Sequence, residues 1–369
     1  MNKMINTNKE TNVNTRILSV DLARGLAVFF MIAVHTLQVY ANPEVTSSLL
    51  GKIISFLGGP PAAPVFMTLM GFSFVYSKKS ALKSKLVRGL KVFLSGYILN
   101  LLRGVIPYKL SIYFETDLAK SLPLDRLNDY TIFTIVDILQ FAGIALIIMA
   151  ILQELKVNRY KILLLAFIII LISPFLWGIR LNIPFIDDFL DLLWGDQVIQ
   201  FKFIDNKIAF PVFPWLAFPL LGMFLGETLK SSNDQKITFK YFGFSGLIVL
   251  LIGVFISSFD LAYHANDYYH SRQGAMIFMC GFVLVWLFIN NLLIDSIPMN
   301  GLFTLLFKWS NGVTNIYFVQ WIVILWSIAF FGIGSSSYIS VISLILAFTL
   351  ISHFANEFYK LLLDLGKKT

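Results

Sequence analysis

The sequence has a single cysteine, four histidines and only 14% charged residues across its 369 positions. One cysteine excludes an internal disulfide and a thiolate-bound metal cluster. So small a charged fraction excludes an ordinary water-facing surface, because soluble domains carry about 25%. Soluble domains, long linkers, low-complexity tracts and convincing internal repeats are also lacking. No cleavage site of small residues follows the first apolar run, which therefore reads as a retained helix and not a signal peptide. What fills the chain instead is apolar: 57% of residues are hydrophobic and 36 are phenylalanine, giving a mean hydropathy of +0.76. The formal charge of +8 would suit nucleic acid, but its distribution does not. The basic residues sit in short segments between apolar runs, as cytoplasmic loops do, and nucleic acid is not an expected partner.

The apolar runs predict an all-α, polytopic integral membrane protein of about ten transmembrane helices, near 22–41, 56–77, 88–106, 130–152, 161–179, 208–228, 240–259, 273–292, 309–332 and 337–356. Each has about the 17 to 25 residues needed to cross ~30 Å of hydrocarbon. A short re-entrant or interfacial piece at 298–308 would raise the count to eleven. Lys78, Lys79, Lys83, Lys85, Arg88 and Lys91 follow one another without an acidic residue between them, which places that segment in the cytoplasm. Counting off the helices puts Lys156, Arg159 and Lys161, then Lys230, Lys236 and Lys240, then Lys360, Lys367 and Lys368 on the same side. Both termini are thus expected in the cytoplasm, with the chain multi-pass in the inner membrane. Residues 1–15 form a polar tail, 16–359 a single membrane domain and 360–369 a second tail.

Ionisable residues inside a span are expensive, so each is a candidate for function. Asp21 and Arg24 are three residues apart on the first helix, close enough to pair on one face. His35 follows Arg24 by eleven residues, about 16 Å deeper and after three turns on roughly the same face. A guanidinium suits bidentate phosphate recognition, and a shielded imidazole suits removal of a proton from a hydroxyl or amine. The competing reading is structural: an ion pair at a helix start and a histidine bonded across the bundle. In the later helix Ser310, Asn311, Thr314, Asn315 and Gln320 are suited to bonds between helices, Asn311 and Asn315 lying one turn apart.

Connections on the other side are longer: Tyr108 to Asn128, the acidic Pro184 to Asp205 segment, and the loop after the seventh helix. That loop carries Asp260, His264, Asp267, His270 and Arg272, a spacing that matches no strong metal template. No metal is expected, and these residues read either as contacts to a polar substrate or as solvated caps with aromatic anchors. Pro211, Pro214 and Pro219 surround Trp215 and predict an irregular start to the sixth helix, an arrangement fit for a cavity wall.

Three motifs together resemble one family. They are R-x-x-S-V-D-x-x-R-G-L-A-V-x-x-M-x-x-V-H from Arg16 to His35, P-x-F-M-x-L-M-G-F-S from Pro64 to Ser73, and the proline-rich run from Phe210 to Gly226. The sequence is similar to bacterial membrane acyltransferases related to the catalytic domain of heparan-alpha-glucosaminide N-acetyltransferase. The Arg24 to His35 spacing also resembles the signature of the broader acyltransferase-3 group, and Ser310 to Gln320 looks like the first family's late helix, with Gln320 in place of its histidine. In the heparan enzyme an asparagine matches His35.

The resemblance implies a ten- or eleven-helix fold and transfer of an acyl group, typically acetyl, from a cytoplasmic acyl-CoA to a carbohydrate on the other side. The acyl-CoA is a co-substrate, with no tightly bound cofactor implied. Arg24, paired with Asp21 and helped by Lys83, Arg88 and Lys91, would hold the donor phosphates. His35 would act as base, with Asn315 or Gln320 at the oxyanion, by direct transfer or through an acyl-histidine. Trp215, Asp260, His264, Asp267, His270 and Arg272 would face the acceptor. A homodimer is compatible with this pattern. The rival reading is a transporter or flippase that uses the same Arg24 and His35 stripe as its path.

Overall fold

Backbone N–H and C=O groups in hydrocarbon have no water to bond, so a long apolar run satisfies them internally as a helix. The computed structural model describes residues 16–77, 81–116, 128–183, 185–201 and 204–366. The N-terminal tail, Lys78, Lys79, Lys367 and Lys368 lie outside the described residues. Among those described, nine helices are long and apolar enough to cross a membrane, and a shorter tenth joins them. In chain order they are α1 (Leu18–Tyr40), α2 (Leu49–Val75), α3 (Leu82–Tyr113), α4 (Ile138–Glu154), α5 (Arg159–Leu176), α6 (Val212–Lys230), α7 (Gln235–Phe259), α8 (Gln273–Ser296), α9 (Val313–Phe331) and α10 (Tyr338–Gly366). The expected all-α membrane fold is present. A small antiparallel hairpin, β1 (Val198–Phe201) with β2 (Ile204–Asn206), departs from it.

Several boundaries differ from the sequence expectation for local reasons. The fourth span begins at Ile138, not near 130, because Asp129–Phe133 is a separate short helix and Asp137 caps α4 in a reciprocal box with Gln140. The span expected near 309 is split. Gly312 ends the helix Gly301–Asn311 and starts α9, so Asn311 and Asn315 do not share a helical face. The short helix Gly301–Asn311 is the additional piece anticipated near 298–308, capped by Asn300. Residues 360–366, expected as a tail, continue α10.

The bundle is built around α1 and α6, whose membrane windows are each 78% buried against 28% for α5, α7 and α9. Basic residues gather at one end of the bundle. Lys85 bonds Gln153 where α3 begins and α4 ends, Arg159 bonds Ser231 between α5 and α6, and Lys236 pairs with Asp295 between α7 and α8. At the opposite end Val136 bridges to the strand-like residues 207–209, and Ala41 pairs with Ser336.

α2 and α6 cross at near backbone contact. A Cβ on Gly71 would collide with the Pro219 carbonyl, and one on Gly222 with that of Thr68. Small residues permit this close approach where packing, not water exclusion, holds helices together. Gly71→Ala and Gly222→Ala are each expected to destabilise the bundle by about 1–3 kcal/mol, read as a lowered thermal unfolding midpoint in detergent.

Candidate functional site

At the basic end of α1 the pairing implied by the sequence spacing is present. Arg24 Nη1 donates to Asp21 Oδ1 and to Ser310 Oγ, both at 3.1 Å, and its Nη2 donates to Ser73 Oγ at 2.5 Å. Ser310 in turn donates to Asp21 at 2.8 Å, and Arg16 also bonds that carboxylate. Arg24 thereby braces α1 against α2 and the helix Gly301–Asn311.

Three contacts fix how α1 lies against the chain leading into α9. Arg24 meets Ser310, His35 meets Trp321, and the Tyr40 hydroxyl donates to the Ile324 carbonyl. Sequence separations stay near 286 along all three, so the two elements run parallel. Arg24 and His35 do share one stripe of α1, and the residues between them on it, Val28, Met31 and Ile32, are buried. His35 lies nearer the C-terminal end of α1 than its basic end. α1 starts at Leu18, which puts His35 about 26 Å from the basic end and about 8 Å from the outer one.

The His35 ring stacks on Trp321 at 4.1 Å between centroids and stands edge-on to Tyr317 at 6.4 Å. Its Nδ1 is buried without a hydrogen-bond partner, as are both amide atoms of Gln320, which is 1% exposed. Buried polar atoms left unpaired cost about 1–3 kcal/mol each, so they mark a place suited to a polar ligand. Asn315, five residues before Gln320 on α9, is half-buried.

Behind Trp321 lies a charge pair that the sequence reading missed. Arg103 Nη1 donates to Asp137 Oδ2 at 2.7 Å, both residues being buried. Tyr317 donates to the same oxygen at 2.7 Å, and Asp137 Oδ1 accepts from the Ile138 amide. Arg103 Nη2 donates to Asn100, whose amide donates to the Phe133 and Ile135 carbonyls. The guanidinium carbon is 4.8 Å from the centre of the Trp321 ring. A π-helical turn at Leu101–Val105 places Arg103 here, the kind of irregularity common at functional sites. Two charges inside apolar runs were the available signal.

Lys83, Arg88 and Lys91 are brought together. With Ser84 and Ser95 they line an open groove of about 570 Å³ along the basic half of α3. Lys85 turns away to Gln153. Neither Arg24 nor His35 lines this groove.

The outer-loop candidates are held mostly by one another. Trp215 is fully buried and donates to the Tyr269 carbonyl at 2.7 Å, so it positions the loop from beneath. Asp260 caps the helix Leu261–Ala265, and His264 Nδ1 accepts from the Gly274 amide. Arg272 stacks between Tyr263 at 4.1 Å and Trp177 at 5.5 Å. His270 contacts Asp267 through Nδ1 and the Gly195 carbonyl through Nε2, both at 2.8 Å. Both partners are acceptors, a geometry that suits an imidazolium with two N–H donors. Burial pulls the His270 proton affinity down, but the bonds to Asp267 and Gly195 and the Asp267 charge outweigh it, leaving it above the ordinary 6.5. Among the described residues no group of three or more His, Cys, Asp or Glu is placed to hold a metal.

Two outcomes follow from these contacts. Asp137→Asn leaves Arg103 buried and unpaired and is expected to cost about 3–5 kcal/mol. Adding Arg103→Met should recover a large part of that loss in a double-mutant cycle of unfolding midpoints. The His270 latch stabilises fully below pH 6.5, and its contribution fades as pH rises through the elevated native value. Amide exchange of residues 264–272 should therefore accelerate as pH climbs past that value, beyond the intrinsic pH dependence of exchange, and His270→Gln should remove the excess.

The family described as "Heparan-alpha-glucosaminide N-acetyltransferase, catalytic" matches residues 16–254, nearly two thirds of the chain. The match takes in Arg24, His35, the α3 groove, Arg103, Asp137 and Trp215, and stops short of the 260–272 loop and Gln320. No curated protein gives a match. With ten apolar helices among the described residues and a match over most of its length, the chain belongs to the heparan-alpha-glucosaminide N-acetyltransferase catalytic-domain family, and is a polytopic membrane acyltransferase.

Proposed function

We propose that the protein moves an acyl group, acetyl in the first instance, from a cytoplasmic acyl-CoA to a carbohydrate at the outer end of the bundle, with His35 as general base. The observation that carries this reading is the uncommitted, buried Nδ1 of His35 about 8 Å from the outer end of α1. A base needs a free lone pair at the point where the acceptor arrives, and a shielded imidazole at that depth meets an acceptor entering from outside.

The basic end of the bundle faces the cytoplasm in this reading, as Lys83, Arg88, Lys91, Arg159 and Lys230 on that side favour. Donor phosphates sit against Lys83, Arg88 and Lys91, and the donor's arm follows α3 inward. Arg24, already bonded to Asp21, Ser73 and Ser310, contributes positive potential to that end and keeps α1 in register. At the centre the acceptor's O–H proton passes to His35 as its oxygen attacks the thioester carbon. The C–S bond breaks, and the proton leaves with the departing thiolate. Gln320 supplies an amide N–H for the developing oxyanion, with Asn315 nearby on α9. Trp321 fixes the plane of the imidazole and is itself fixed by Arg103 and Asp137. The transport reading is weaker because the stripe between Arg24 and His35 is filled by Val28, Met31 and Ile32.

Release of free CoA by the protein in nanodiscs, with acetyl-CoA and a panel of glycans, tests the assignment. His35→Ala is expected to lower kcat at least about 100-fold while leaving acyl-CoA binding intact. Replacing Lys83, Arg88 and Lys91 together by Gln should raise the acyl-CoA KM and flatten its salt dependence with kcat little changed. Equal turnover in parent and His35→Ala would remove His35 from the chemistry.

A further inference from the structure

The outer end of α3 carries a second cavity, of about 800 Å³, a size typical of small-molecule sites. One wall is the last two turns of α3, with Tyr108, Lys109 and Tyr113. The other is the start of the short helix Asp129–Phe133, with Asn128, Asp129 and Tyr130. Tyr113 is 79% exposed and Tyr130 57% exposed, the latter with the Lys207 amine 5.9 Å from its ring centre. Lys109 and Asp129 pair across the cavity at 2.6 Å, which ties its walls together and cancels their charges. Tyr130 is fixed by a bond from its hydroxyl to Asp188 at 2.9 Å. Asn128 uses its side-chain oxygen to cap the helix, and its amide N–H groups are uncommitted among the described residues.

Both walls are rooted on the buried charge pair. Tyr108 follows Arg103 by five residues of continuous helix, about 8 Å. From the other wall the chain runs through Phe133 and Ile135, both held by Asn100, to Asp137. Arg103 in turn contacts Trp321, on which His35 stacks. The walls of the cavity and the platform beneath His35 therefore rest on one network.

We infer that this cavity is the acceptor subsite and that it takes an uncharged pyranoside. A sugar ring has apolar C–H faces and a polar rim. The exposed Tyr113 and Tyr130 rings offer flat surfaces for the faces, and Asn128 and the Asp129 carboxylate offer donors and an acceptor for the hydroxyls. Lys109 pairs with Asp129, and Lys207, 5.9 Å from the Tyr130 ring centre, pairs with Asp188 at 3.9 Å, so the charges nearest the described walls cancel, which favours a neutral sugar over a uronate or an amino sugar. Exposed tyrosines near a helix end also serve as membrane-interface anchors, but an anchor needs neither a facing wall nor an ion pair across the gap.

The inference rests on the acyltransferase reading for its role but is tested separately from it, by saturation-transfer NMR on the full chain in nanodiscs without any acyl-CoA. Maltotriose and cellotriose are the neutral probes, with glucosamine and glucuronate as charged comparisons. The expected result is transfer to C–H protons of a neutral probe, weaker for the charged sugars, lost in Tyr113→Ala/Tyr130→Ala and retained in Tyr113→Phe. In turnover, Tyr113→Ala should raise the KM of that acceptor about tenfold with kcat and the acyl-CoA KM unchanged. Binding that is present and lost in the double variant supports the subsite even if the parent shows no turnover. Turnover with an unchanged acceptor KM in Tyr113→Ala would overturn the subsite and leave the acyltransferase reading standing. Absence of transfer to every sugar in the folded parent would also overturn it.

Discussion

A guanidinium and a carboxylate taken out of water each lose several kcal/mol of hydration, and an apolar bundle tolerates them only as a fully bonded pair. Arg103 and Asp137 meet that condition through Tyr317, Asn100 and the first amide of α4. Much of the surrounding architecture is what this requires. α4 starts at Ile138 because Asp137 is both its cap and the partner of Arg103. The segment from Asn128 to Asp137 is drawn against α3 because Asn100, itself bonded to Arg103, holds two of its carbonyls. Trp321 has the guanidinium against its ring and His35 stacked on it, so the orientation of the imidazole depends on a charge pair it does not touch by any hydrogen bond.

α3 links the basic groove, the buried charge pair and the aromatic cavity. Its basic half carries the groove, its centre the buried arginine and its outer half the aromatic cavity. A helix has the rigidity to keep these at fixed heights, about 1.5 Å per residue, which loops would not do. α1 runs alongside the Gly301–Asn311 helix and α9, and is pinned at Arg24, His35 and Tyr40. Those contacts fix the height of the imidazole on the bundle.

The membrane fold was legible because hydropathy and the basic segments are summed over many residues, so errors of a few positions do not alter the topology. The Asp21 and Arg24 pair was legible because it is local to one helix. The shared stripe of Arg24 and His35 also followed from helical periodicity, but the depth of His35 did not, because it depends on where α1 begins. Arg103 and Asp137 lay inside expected spans, yet 34 residues separate them, and no local pattern reports that they meet. Gly312 was read as one residue within a continuous helix. Only the packing of Asn356 against it, where a Cβ would collide, accompanies the break that separates Asn311 from Asn315. The loop histidines looked available in sequence because their partners, Gly195 and Gly274, offer backbone atoms that carry no sequence signature.

The π-helical turn at Leu101–Val105 also affects the phase of α3. A π turn holds one more residue than an α turn, and one residue corresponds to about 100° of rotation. Everything outward of Val105 is therefore swung a little more than a quarter turn from where an uninterrupted α-helix would carry it. The groove that precedes the turn and the cavity that follows it belong to one rod but face different neighbours. Regularising that turn to α geometry without removing a residue would preserve the helix and its hydropathy, and would swing the outer cavity's wall about a quarter turn away from the helix Asp129–Phe133 that faces it.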